Sequence, residues 1–117
     1  MRGIALAAGA LLLALGAVAA AGCARGANRL VGESCTVNGD CRDLCATGGD
    51  FPGGFCTTAC FDDRDCPGGT VCTDIDGGIC LFECDSDDVC TELLGDPAYD
   101  CRAADTPDGF VVLACRG

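Results

Sequence analysis

Thiols are the side chains in this sequence best equipped for chemistry, and their spacing decides which chemistry that is. Of thirteen cysteines, twelve fall into three consecutive sets of four. The sets are Cys35, Cys41, Cys45 and Cys56; Cys60, Cys66, Cys72 and Cys80; and Cys84, Cys90, Cys101 and Cys115. Cys23 stands apart, at the end of an apolar leader. Structural zinc needs closely paired cysteines, commonly joined by histidine, to close a tetrahedron. Here no two cysteines are separated by two residues and histidine is absent. The same missing Cys-x-x-Cys pair argues against thiol oxidoreductase chemistry. What remains is a disulfide framework for a small exported domain, with no metal and no cofactor expected.

Other reactive groups lead nowhere comparable. Asp62, Asp63 and Asp65, then Asp74 and Asp76, then Asp85, Asp87 and Asp88 present carboxylate oxygens, the ligand type calcium prefers. None follows an EF-hand loop, so they read as solvated loop acids. The hydroxyls of Ser34, Thr57, Thr58 and Ser86 have no evident base beside them. Paired carboxylates working on a glycosidic bond need a cleft, which modules of this size rarely form. The chain is therefore expected not to be an enzyme.

Positioning of the cysteines follows from an internal repeat. Each set opens with a five-residue gap, three residues separate one set from the next, and the opening cysteines Cys35, Cys60 and Cys84 recur at near-constant spacing. Gly53-Gly54-Phe55-Cys56 and Gly77-Gly78-Ile79-Cys80 close the first two sets alike. The third residue after each opening cysteine is Asn38, Asp63 or Asp87, types that cap turns with their side chains, and the glycine pairs permit positive φ before the closing cysteine. Four cysteines allow three pairings. First-to-third and second-to-fourth within each module is the expected one, with the alternatives left open by spacing. The third module lacks the glycine pair and its last half is expected to fold differently.

Secondary structure is expected to be sparse. Ser86 is placed to cap a short helix running through Asp87, Asp88, Val89, Glu92 and Leu94, with Gly95 just past its end. Thr106-Pro107-Asp108-Gly109 reads as a turn between Tyr99–Ala103 and Phe110–Ala114, the best candidate hairpin. The aromatics Phe61, Phe82, Tyr99 and Phe110 are expected to fill small cores. Phe51 and Phe55 flank Pro52-Gly53-Gly54, which leaves little around them, and they are the expected exposed binding anchor.

Met1-Arg2 followed by an uncharged run of Ala, Gly, Leu, Ile and Val to Gly22 has the form of a signal peptide. It is long enough to be weighed as a membrane span. Arg25 and Arg29 after it outnumber Arg2 before it, which disfavours an uncleaved anchor. Ala19-Ala20-Ala21 fits ordinary signal peptidase and secretion. Ala20-Ala21-Gly22-Cys23 resembles the bacterial lipobox, with Ala20 where leucine is preferred, and this resemblance implies a lipid on Cys23 as the first mature residue. Lipidation also consumes the odd cysteine, leaving twelve to pair. In such lipoproteins an aspartate after the cysteine signals inner-membrane retention; Ala24 stands there, implying the outer membrane. The expected layout is a signal peptide over 1–22, a lipidated flexible tether over 23–34, and cysteine-rich modules at 35–56, 60–80 and 84–115.

Composition limits partners. The chain carries 18 acidic against 7 basic residues, for a net charge of −11. Phosphate-backbone binding and attachment to anionic lipid both depend on cationic side chains, so neither nucleic acid nor a lipid surface held by basic residues is expected. Large apolar residues are few after the leader and glycine is abundant, so cross-links must replace a missing core.

The run Cys60-Phe61-Asp62-Asp63-Arg64-Asp65-Cys66-Pro67-Gly68-Gly69-Thr70-Val71-Cys72 resembles the core of Dickkopf-type N-terminal cysteine-rich modules and of whey-acidic-protein four-disulfide cores. The adjacent cysteine doublet of the whey-acidic core is absent. Over its whole length the chain is similar to the cysteine-rich lipoproteins abundant in myxobacteria. Together with the repeat, these resemblances imply a small disulfide-rich fold of three tandem four-cysteine modules with short β-hairpins and little helix, after an N-terminal signal helix. The expected function is a non-enzymatic envelope lipoprotein that contacts a surface protein or polysaccharide. The alternative is a secreted or surface protease inhibitor, presenting Arg42, Arg64 or Arg102 on an extended loop.

Overall fold

The computed structural model describes residues 30–117. The signal segment, Cys23 and the start of the tether lie outside the described residues. Each module is an opening cysteine, a helical turn that ends at or contains the second cysteine, and an antiparallel hairpin carrying the third and fourth. In the first module the turn is a 3-10 helix at Asn38–Asp40 and the hairpin pairs β1 (Leu44–Ala46) with β2 (Phe55–Thr57). In the second, a 3-10 turn at Asp63–Asp65 precedes β3 (Thr70–Thr73) and β4 (Ile79–Phe82). In the third, the turn is replaced by helix α1 (Asp87–Leu94), followed by the longer β5 (Asp100–Asp105) and β6 (Val111–Arg116).

Third and fourth cysteines face each other across every hairpin: Cys45 opposite Cys56, Cys72 opposite Cys80, Cys101 opposite Cys115. They do not bond to one another. The bridges are Cys35–Cys45 and Cys41–Cys56, Cys60–Cys72 and Cys66–Cys80, Cys84–Cys101 and Cys90–Cys115. This is first-to-third and second-to-fourth in all three modules. The first strand of each hairpin is thereby strapped to the opening cysteine, and the second strand to the cysteine at the turn.

A hydrogen bond repeats with the cysteines. The Oδ1 atoms of Asn38, Asp63 and Asp87 accept the backbone N–H of Cys45, Cys72 and Cys101 at 2.9, 2.9 and 2.8 Å. These side chains thus reach across the module to its first hairpin strand instead of capping their own turn. Turn capping in the first two modules falls to Asp40, whose Oδ2 accepts from the N–H groups of Thr36 and Val37, and to Asp65, which does the same for Phe61 and Asp62, with Asp62 Oδ1 also accepting from the Arg64 N–H. The glycine pairs have positive φ throughout, from 75° at Gly53 to 119° at Gly78. The second glycine of each pair has a further role, since a Cβ on Gly54 would strike the Cys35 carbonyl and one on Gly78 the Cys60 carbonyl.

In the third module, α1 starts after Ser86 with Asp87 and Asp88 in its first turn, where acids favour the positive end of the helix dipole. Gly95 ends it in the left-handed region at φ 69°, its N–H donating to the Thr91 carbonyl at 2.7 Å. Thr106-Pro107-Asp108-Gly109 turns β5 into β6, and Thr106 closes the turn by pairing with the backbone of Phe110.

The modules share one core. Phe51 and Phe55 from module one, Leu81 and Phe82 from module two, and Tyr99, Ala104 and Ala114 from module three are all buried in a single cluster. The Phe55 ring lies 5.8 Å from Phe51, 6.1 Å from Tyr99 and 6.4 Å from Phe82, spacings typical of interacting aromatic rings. The expected exposed anchor is corrected here: Phe51 and Phe55 are only 3% and 1% exposed. The glycines do leave this loop bare within its own module, but module three covers it. The Tyr99 hydroxyl donates to the Pro52 carbonyl at 3.1 Å, Arg116 pairs with Asp50 at 3.0 Å, and the Gly117 N–H donates to the Asp50 carbonyl at 2.7 Å.

The tether assignment is also corrected at its end. Val31 is buried, the Gly32 N–H donates to the Cys56 carbonyl, and the Glu33 carbonyl accepts from the Cys56 N–H, both at 2.8 Å. Residues 31–33 therefore lie along β2, because Val31 supplies apolar area that the small core can bury.

Candidate interaction surface

With the aromatic cluster buried, the apolar side chains left in solvent are elsewhere. Among the described residues the large exposed ones are Val37, Phe61, Phe110, Val111 and Leu113. Three of these belong to the β5–β6 hairpin, at 71% for Phe110, 67% for Val111 and 47% for Leu113. Strand alternation sorts this hairpin into two faces. Val112 and Ala114, with Ala104 across from Val112, point inward, Ala104 and Ala114 being buried. Val111 and Leu113 point outward beside their cross-strand partners Asp105 and Ala103, which are also exposed. Phe61 and Phe110 thus depart from the expected core role. Each sits directly against a polar turn, Asp62 to Asp65 in one case and Pro107-Asp108-Gly109 in the other, and that adjacency is the signal that marks them as exposed.

The hairpin is held firmly. Cys101 and Cys115 tie its two strands to Cys84 and Cys90, the Cys84 N–H donates to the Leu113 carbonyl at 3.1 Å, and Arg116 donates to the Ala103 carbonyl at 3.0 Å. The Asp74 N–H of module two adds a bond to the Asp105 carbonyl at 2.8 Å. Such a hairpin presents its outer face with little conformational entropy left to lose on contact.

Between the tip of this hairpin and the 3-10 turn of module two lies a groove of about 500 Å3. Pro107, Phe110, Val112 and the Cys72 bridge give it an apolar wall, and Asp62, Asp63 and Asp108 give it carboxylates. Its one cation, Arg64, is held by Asp62 at 3.0 Å. The Arg64 hydrogen bonds keep the Asp62 carboxyl below its ordinary range, and the Asp62 carboxylate in turn raises Arg64.

The remaining sequence candidates divide by what they touch. Asp63, Asp65 and Asp87 accept backbone N–H groups as described, so those loop carboxylates are structural acceptors in this fold. In each module, three sulfurs lie within 4.8 Å of one another, because the two bridges of a module stack side by side; each of these sulfurs is already in a disulfide. Arg64 sits within a 3-10 turn, Arg102 lies in β5 and donates to the Gly117 carbonyl at 2.6 Å, and Arg42 occupies the short bend between Cys41 and β1. None of the three stands at the apex of an extended loop. Burial, with the Asp96 charge adding to it, pushes the Tyr99 hydroxyl up to about 12, so it serves the fold as a neutral donor.

No protein-family model, curated protein or solved structure matches the chain.

Proposed function

We propose that this chain is a non-enzymatic binding module of the cell envelope, exported, held at the outer membrane by a lipid on Cys23, and contacting an envelope protein through the outer face of the β5–β6 hairpin. One observation carries the choice of surface: Val111 and Leu113 stand in solvent on a cross-linked strand of a domain that has few large apolar residues to spare. Leaving such side chains in water forgoes their burial, roughly 1.5–3 kcal/mol each when complete, which favours a partner that covers them. The parity of the cysteines supports the lipid: twelve are bridged, and Cys23 is the one left over. The inhibitor reading is disfavoured by the placement of Arg42, Arg64 and Arg102, since a protease is presented with an extended segment and not with a helical turn or a paired strand.

The test is capture of envelope proteins by the full oxidised chain and by a Val111→Thr/Leu113→Ser variant. Neither residue carries a cross-link, so the disulfide pattern should be unchanged. Recovery of the partner is expected to fall about tenfold or more, the loss of two buried aliphatic contacts. Equal recovery would reject the hairpin face, and a protease trapped stoichiometrically would put inhibition first.

A further inference from the structure

We infer that the groove beside Phe110 receives an arginine side chain of a partner polypeptide. The inference rests on the reading of the β5–β6 hairpin as the contact element and assigns a ligand to its other side, the one bearing Val112. The groove offers two things together. Its wall of Pro107, Val112 and the Phe110 ring suits an alkyl stem and a flat cation, and its rim of Asp62, Asp63 and Asp108 suits positive charge. Arginine matches both, because its methylenes bury against apolar surface while its planar guanidinium stacks on an aromatic face and pairs with carboxylates.

Charge complementarity decides the sign of the ligand. Three carboxylates line the groove against one guanidinium, and that guanidinium is already paired with Asp62. The chain as a whole is at −11, which steers cations toward it and repels anions. A cationic amino sugar would satisfy the rim, but it has no alkyl stem to lay along Val112 and Pro107. The groove volume of about 500 Å3 accommodates an arginine side chain together with part of its backbone. Arg64 shows the same pairing in miniature: its Nε and Nη2 both meet Asp62, at 3.4 and 3.0 Å. It acts as an internal competitor, since it neutralises one carboxylate that an incoming arginine would otherwise engage.

The experiment titrates the full oxidised chain, solubilised in detergent, with the capped peptide acetyl-Gly-Val-Arg-Val-Gly-amide, following backbone amide shifts by NMR. The same peptide with glutamine in place of arginine, and a glucosamine hexamer, are run alongside. The arginine peptide should shift amides of the Thr106–Phe110 turn and the Asp63–Asp65 turn, and the glutamine peptide should not. Phe110→Ser should weaken binding about tenfold and Asp108→Asn about threefold. Arg64→Ala should tighten it about threefold, by freeing Asp62. Opposite signs for Asp108→Asn and Arg64→Ala exclude an effect of misfolding, which would weaken binding in both. Equal affinity across the variants, or shifts elsewhere on the domain, would overturn the inference. Binding of the glucosamine hexamer with the same variant dependence would overturn the assignment to polypeptide. The two proposals fail separately, because envelope capture reads Val111 and Leu113 whereas the peptide reads Asp108 and Arg64.

Discussion

Replacing both Cys90 and Cys115 by alanine is expected to leave the domain largely unfolded at physiological temperature, the largest effect of any single bridge. This pair closes the longest loop of the six, with a sequence separation of 25. In the chain-entropy view that constraint is worth about 3.5 kcal/mol. Cys90 and Cys115 are also fully buried, so their sulfurs are part of the packing that joins the third module to the rest. The Cys35–Cys45 bridge, with a separation of 10, should cost about 2.7 kcal/mol by the same reasoning. It belongs to a separate small cluster with Cys41 and Cys56, so its loss leaves the shared aromatic core intact. Thermal unfolding of both double variants under non-reducing conditions should place the Cys90/Cys115 variant well below the Cys35/Cys45 one. The reverse order would mean that the common core does not hold the modules together.

The second large effect separates the two glycines of each pair. Gly54→Ala and Gly78→Ala are each expected to destabilise by about 3 kcal/mol or more, since the new methyl must displace the backbone carbonyl of Cys35 or Cys60 and also adopt a left-handed conformation. Gly53→Ala and Gly77→Ala meet open space and carry only the conformational penalty, about 1–2 kcal/mol. Chemical denaturation of the four variants distinguishes these values. If all four cost the same, the close approach of opening and closing cysteines in the first two modules is not what the glycines serve.

The cross-linked architecture was legible because cysteines and turn residues act locally. Spacing set the modules, and Asp87 to Leu94 with Gly95 after it contained both the start and the stop of the α-helix seen among the described residues. The Thr106–Gly109 turn likewise placed β5 and β6 to within two residues. The pairing of bridges was one choice of three, and nothing in the spacing alone selected it. The contact between modules could not be read at all. Phe51-Pro52-Gly53-Gly54-Phe55 lacks cover within its own repeat, and its cover comes from Tyr99, Arg116 and Gly117, more than forty residues away. A repeat read as independent units exposes every surface that another unit buries. The inversion of roles between Phe51 and Phe55 on one side and Phe61 and Phe110 on the other follows from that. Likewise, the roles of Asn38, Asp63 and Asp87 as acceptors for the third cysteine depend on a hairpin that a local turn reading does not include.

The proposed lipid on Cys23 and the closure of each module by its own two bridges make one joint demand on the mature protein, and mass spectrometry of non-reduced peptides from membranes tests it in a single measurement. The expected result is an N-terminal peptide that begins with a lipid-modified Cys23, together with six bridges joining Cys35 to Cys45, Cys41 to Cys56, Cys60 to Cys72, Cys66 to Cys80, Cys84 to Cys101 and Cys90 to Cys115. An N-terminal peptide starting at Gly22 with an unmodified Cys23, or any bridge between modules such as Cys56 to Cys60, would contradict it.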